Sequence, residues 1–254
     1  MIRHVLAVAR RELSAYFLGP MAYIVLLGFQ MIAAINFFVL VELLSRPQAA
    51  YSGLADPMTT YVSSSWLFWI ALLVAVPCVT MRLLAEERRS GTLEGLLTAP
   101  ITEAEVVLGK WIAGTAMILA LLAPFALYLP FLRHYGRFDF DLGPLLTLGI
   151  CLTTLAMMFA AIGLSFSALA RNQIEAAIGT FVVMLLLLLV EPIGTMATAG
   201  RGDWQEALRF VSVVDQAAEC GRGLLDLRVV ALHTSITVLL LYLATRALAA
   251  RRGA

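Results

Sequence analysis

Apolar residues gather into six runs along the chain, at about 19–43, 62–83, 106–132, 143–169, 174–197 and 229–248. Each reaches the roughly 20 residues that a helix needs to cross about 30 Å of hydrocarbon. In lipid every backbone N–H and C=O must be satisfied within the segment, so such runs predict helices. The first is interrupted by Gln30 and Asn36, and the fourth is rich in Thr and Ser. The fifth has the core Phe-Val-Val-Met-Leu-Leu-Leu-Leu-Leu-Val.

The polar stretches between the runs have patterns of their own. Over residues 2–17, Val5, Val8, Leu13 and Phe17 can share one helical face, with Arg3, Arg10 and Arg11 toward water or headgroups. This predicts an interfacial helix over 1–18 on the inner leaflet, closed by Gly19-Pro20; simple anchoring of the first span is the alternative. In the region 84–102, Ser90-Gly91-Thr92 can open a short helix, Leu93 to Thr98, that Pro100 ends. Thr102 and Glu105 then form a capping box that starts the third helix near 103. In the loop 198–228, Trp204, Leu208 and Val211 fall on one face, which suits a helix at the outer membrane surface as well as an irregular loop. No linker or internal repeat divides residues 1–254, so a single membrane domain is expected.

Composition fits lipid as the solvent. The chain is 61% hydrophobic and only 14% charged, with a mean hydropathy of +0.89; soluble domains carry about a quarter charged residues. A net charge of +1 says nothing about nucleic acid, and no basic stripe suggests such a partner, so none is expected. Cys78 and Cys151 lie in apolar runs and Cys220 stands alone in a loop, which suggests neither a disulfide framework nor a zinc site. The N-terminal residues do not read as a cleaved signal peptide, because their basic residues are spread out and the following run is too long.

Of the 18 Lys and Arg residues, eleven fall on the inner side if the N-terminus is inside, and seven on the outer side. This bias places both termini inside. It also places inside the charged island of residues 82–110, which holds Arg82, Glu86, Glu87, Arg88, Arg89, Glu94, Glu103, Glu105 and Lys110.

Motifs for catalysis are missing. There is no phosphate-binding Gly-x-x-x-x-Gly-Lys-Ser/Thr loop, no His-Glu-x-x-His and no Gly-x-Ser-x-Gly. His4, His134 and His233 are too far apart for a metal set. The chain is therefore expected to be no enzyme, to bind no cofactor or metal, and to draw energy from elsewhere. Ionisable residues in the runs are few: Glu42 and Glu191 near outer ends, Glu175 and Lys110 near inner ends. Glu191, between a Leu run and Pro192, is the leading intramembrane functional candidate, although solvation at the outer surface explains it more simply.

The island, from Glu86-Glu87-Arg88-Arg89-Ser90-Gly91-Thr92-Leu93-Glu94-Gly95-Leu96-Leu97-Thr98-Ala99-Pro100-Ile101 to Gly109-Lys110, resembles the signature loop of type-2 ABC transporter permeases. More narrowly it resembles the gliding-motility-associated permease group. Weaker matches are Pro77 through Met81-Arg82, Arg171-Asn172-Gln173, and Arg222-Gly223-Leu224-Leu225-Asp226-Leu227-Arg228. The resemblance implies an all-α fold with six spans, an N-terminal elbow helix, and a coupling helix between spans two and three. That helix would dock on a separate cytoplasmic ATPase dimer, which holds the ATP and Mg. On this reading Glu86, Glu87, Arg88 and Arg89, with Arg82, supply polar contacts; Leu93, Leu96 and Leu97 pack the coupling helix. Gly91 and Thr92 allow its turn, Glu94 caps or pairs, Pro100 ends it, and Arg171, Asn172 and Gln173 form a second contact. The arginines also serve topology.

The expected function is thus the permease subunit of an ATP-driven exporter or extractor in the bacterial inner membrane, paired with a second copy or a sibling permease. Two alternatives stay open. One is a mechanical transmitter to an accessory periplasmic protein; the other is a stand-alone secondary carrier.

Overall fold

The computed structural model describes residues 2–45, 66–91, 101–136, 143–196 and 203–252, all helical apart from short joints. Among these described residues ten helices follow in order: α1 (Ile2–Leu18), α2 (Pro20–Ser45), α3 (Trp66–Thr80), α4 (Arg82–Ser90), α5 (Glu103–Gly136), α6 (Gly143–Leu169), α7 (Gln173–Met196), α8 (Asp203–Val211), α9 (Val213–Gly221) and α10 (Leu227–Arg252). Among the described residues six stretches are long and apolar enough to cross a membrane: Pro20–Glu42, Trp66–Arg88, Glu103–Pro124, Gly143–Leu169, Gln173–Met196 and Leu227–Ala250. The chain is an all-α polytopic membrane protein.

Several helix starts are written in the local sequence. At α5 the Thr102 hydroxyl accepts from the Glu105 amide at 3.3 Å, and the Glu105 carboxylate accepts from the Thr102 amide at 2.9 Å. At α7 Asn172 Oδ1 accepts from the Glu175 amide at 2.9 Å, while the Glu175 carboxylate accepts from the Arg171 amide and from Asn172 Nδ2. At α9 Ser212 Oγ accepts from the Asp215 amide at 3.2 Å. Each cap satisfies amides that the first helical turn leaves without partners. The Ser212 cap also divides the outer region into two helices, α8 and α9, where the apolar spacing suggests one.

The core lies around α3, α5 and α6, whose Phe68, Trp69, Met117, Ile118, Leu121 and Leu155 are fully buried. Helix α6 is central, packing against α5, α7, α9 and α10. Helices α2, α7 and α10 lie outside and present Leu27, Met31, Phe38, Ile178, Leu186, Val238 and Leu243 outward. So much exposed apolar surface suits lipid. The polar interruption of the first span has a use: Gln30 Nε2 donates to the Leu121 carbonyl of α5 at 2.8 Å.

Helix α1 lies along α5. It buries Val5 and Val8 of the expected apolar face together with Ala9 and Tyr16, whereas Phe17 of that face is exposed. The close approach requires Gly109, because a Cβ there would sit 2.7 Å from Val8 Cβ and 2.9 Å from the Val5 carbonyl oxygen. Overpacking of this kind costs about 1–3 kcal/mol. Gly109→Ala is therefore expected to lower the melting temperature in detergent and to open α1 to proteolysis; unchanged melting would refute the contact.

Cys220 is not a loop residue. It is buried in α9 and faces α6, because Ser212 starts a helix that carries it inward.

Candidate functional site

Pro77 lies inside α3 and has no N–H to give to the preceding turn. The second span breaks four residues later at Met81, which offers no side-chain cap to α4. Ser167 of α6 supplies one instead. Its hydroxyl oxygen accepts from the Leu84 and Ala85 amides at 2.9 and 3.0 Å, and the hydroxyl donates to the Met81 carbonyl at 3.0 Å. A side chain 82 to 86 residues away thus holds the joint through which α4 leaves the bundle.

Helix α4 then carries four of the expected contact residues into different surroundings. Arg82 Nε lies 3.0 Å from Glu86 Oε2, and its guanidinium stacks 5.4 Å over the Tyr16 ring. Tyr16 in turn donates to the Val79 carbonyl at 2.7 Å; burial raises its phenol pKa. Glu86 keeps a side chain 46% exposed. Glu87 turns inward and is only 14% exposed. Arg88 Nη1 donates to the Ala170 carbonyl at 2.6 Å, which ties α4 to the α6–α7 turn. Arg89 is placed as helix backbone. Gly91 ends α4 at φ +72°, and its N–H bonds the Arg88 carbonyl at 3.4 Å; glycine adopts this left-handed cap without Cβ strain. Thr92, Leu93, Glu94, Leu96, Leu97 and Pro100 lie outside the described residues.

The inward turn of Glu87 completes a ring of charge. Lys110 of α5 is fully buried, and its Nζ lies 2.9 Å from Glu12 Oε1 and 3.0 Å from Glu87 Oε1. Arg11 approaches the same two oxygens, at 2.9 Å from Glu12 Oε1 and in close contact with Glu87 Oε1. Two cations and two carboxylates therefore alternate around a neutral ring that joins α1, α4 and α5. Burying any one of these charges alone would cost several kcal/mol, and only mutual pairing offsets that cost. Burial acts to raise the Glu12 carboxyl pKa, but the Lys110 charge and the hydrogen bonds from Lys110 and Arg11 outweigh it, so the pKa falls below 4.5. Beside the ring, His4 Nδ1 lies 3.3 Å from Glu105 Oε1.

Arg171, Asn172 and Gln173 stand at the same end of the bundle, next to the Ala170 carbonyl that holds Arg88. Arg171 is exposed. Glu191 lies at the other end of α7, half-buried against a cavity of about 460 Å³ lined also by Arg209, Asp215, Glu219 and Arg222. Among the described residues no three His, Cys, Asp or Glu side chains gather as metal ligands. The arrangement makes a polar junction of α1, α4 and α5.

Residues 7–215 match the family model described as ABC-2 family transporter protein. The chain belongs to the ABC-2 transporter family. Two curated relatives, each the probable multidrug ABC transporter permease YbhR, come from Escherichia coli K12 and Escherichia coli O157:H7. Each is 26% identical over 151 residues, covering 56% of this chain and 37% of the relative's length. The ABC-2 match covers α4, the ring and the α6–α7 turn.

The sequence pattern did not single out Glu12, Tyr16 or Ser167. Lys110 was visible as a cation at the mouth of an apolar run, a signal that it needs a buried partner. Which carboxylates answer it depends on residues 98 and 23 positions away.

Proposed function

We propose that this ABC-2 protein is the membrane-spanning permease subunit of an ATP-driven transporter in the bacterial inner membrane. Both termini are cytoplasmic, and two permease subunits work with two ATPase subunits. ATP and Mg are bound and consumed by the ATPase, and this chain contributes no catalytic group. Helix α4 and the following segment 92–100 meet the ATPase, with the Arg171-Asn172-Gln173 turn as a second contact. Within the family, the run from Glu86 to Ile101 with Gly109-Lys110 favours the gliding-motility-associated group. The multidrug name of the Escherichia coli relatives, together with apolar spans carrying scattered Ser, Thr and Met, favours amphipathic substrates moved outward.

The observation that carries this reading is the closed ring of Lys110, Glu12, Arg11 and Glu87. It fastens α4 to α1 and α5, so a push on α4 moves three helices as one body. Rigid-body motion biased by nucleotide is a common means of switching. Glu86 and Arg171 remain outward at this end, where a partner can reach them.

Two measurements test the reading. Tagged protein purified in mild detergent is expected to carry an ABC ATPase in near-equal amount, and transport in vesicles is expected to require ATP inside. Gradient-driven flux by the chain alone would overturn it. A Ser90→Cys variant is expected to react with impermeant maleimide only from the cytoplasmic side; labelling from outside intact cells would reverse the topology.

A further inference from the structure

The chain has three cysteines, and two of them meet. Cys151 on α6 and Cys220 on α9 are 69 residues apart, yet they face each other across the α6–α9 contact at 1% and 2% exposure. Two bonds fix their relative height. Thr147, one turn before Cys151, donates to the Cys220 carbonyl at 2.6 Å. The Cys151 thiol points at the Gln216 carbonyl, one turn before Cys220, at 4.0 Å. Cys151 and Cys220 are both free thiols in this structure, within hydrogen-bonding reach of each other. Cys78, on α3, takes no part in this pair.

Two buried thiols can pack as small apolar side chains. The compartment decides between packing and bonding. On the topology proposed above, on which this inference rests, α9 and the Gly143 end of α6 lie on the outer side. That compartment is oxidising in bacteria, and thiol pairs there become disulfides.

We propose that Cys151 and Cys220 form a disulfide that staples α9 to α6. The oxidant is the disulfide of a periplasmic thioredoxin-fold protein, acting before α9 closes over its site. The Cys220 thiolate attacks one sulfur of that disulfide and releases the other as a thiolate. The Cys151 thiolate then attacks Cys220 sulfur in the mixed disulfide and displaces the oxidant's remaining sulfur. Two thiol protons pass to solvent or to the released thiolates, and two electrons reduce the oxidant to its dithiol. The bond closes a long loop holding α7 and α8, and a long loop is where a cross-link most restricts the unfolded chain.

Cells are lysed in denaturant with N-ethylmaleimide, and the full-length protein is analysed by mass without reductant. One label, on Cys78, is expected before reduction and three after, with a tryptic peptide linked through Cys151 and Cys220. Cys151→Ser and Cys220→Ser should each show two labels and no link, while Cys78→Ser keeps the link. Reduction of the purified wild type should lower its melting temperature by about 5 °C or more, and that of Cys151→Ser not at all. Three labels before reduction overturn the proposal. If Ser90→Cys is then cytoplasmic, the disulfide alone falls; if Ser90→Cys labels from outside, the topology falls and the disulfide with it.

Discussion

Lys110→Met is expected to destabilise the protein by about 3 kcal/mol, the scale seen when one partner of a buried ion pair is removed. Methionine fills the space of the stem but takes the buried ammonium from Glu12 and Glu87, both largely buried, which also share Arg11. The loss should appear as earlier melting in detergent and as faster cleavage of α1. Lys110→Met combined with Glu12→Gln should cost less than the sum of the two single changes, since the residues act as a pair. An additive result would show that the ring is not a unit. The ring also sets a pH dependence. The folded pKa of Glu12 lies below its ordinary value of 4.5. Its contribution is therefore complete above pH 4.5 and is lost as pH falls through the lower folded value. Melting temperatures should fall in that acidic window in wild type and fall less in Glu12→Gln.

Glu86→Lys and Glu87→Lys are expected to fail in opposite ways, although the residues are adjacent. Glu86 is half exposed and, among the described residues, pairs with Arg82 on its own helix, an interaction worth roughly 0.3–0.5 kcal/mol. Reversing it should leave melting nearly unchanged. It should also reduce nucleotide-driven transport and ATPase recovery by tenfold or more, because the charge offered to the partner changes sign. Glu87→Lys instead brings a third cation to Lys110 and Arg11, and is expected to melt early and express poorly. Full transport by Glu86→Lys would remove α4 from the ATPase contact.

The contrast between these two glutamates shows what could be read from the chain alone. Six apolar helices were legible because span length and hydropathy are local properties. So was the start of α5, where Thr102 and Glu105 bond within one turn. The apolar face of α1 reads from the sequence as Val5, Val8, Leu13 and Phe17; Val5 and Val8 are indeed buried, but the packed face continues through Ala9 and Tyr16, with Glu12 pointing into the ring. A carboxylate belongs on a buried face only when a distant cation meets it, and periodicity within residues 2–17 holds no record of Lys110. The joint at Met81 was missed for the same reason, since its cap comes from Ser167. The division of the outer region was missed for a different one: Ser212 and Asp215 are a local cap, hidden because the apolar stripe of α8 seemed to continue through them.

Both carboxylates that hold Lys110 come before it in the chain, at positions 12 and 87. During synthesis the ammonium group thus emerges after its acceptors have already been made. The third span can be seated by the insertion machinery as soon as it is translated, with its cation passing from water directly to waiting oxygens. A circular permutant that moved α1 to the carboxyl end would keep every contact of the finished fold. It would, however, oblige this helix to enter the bilayer with half its neutralising charge still untranslated.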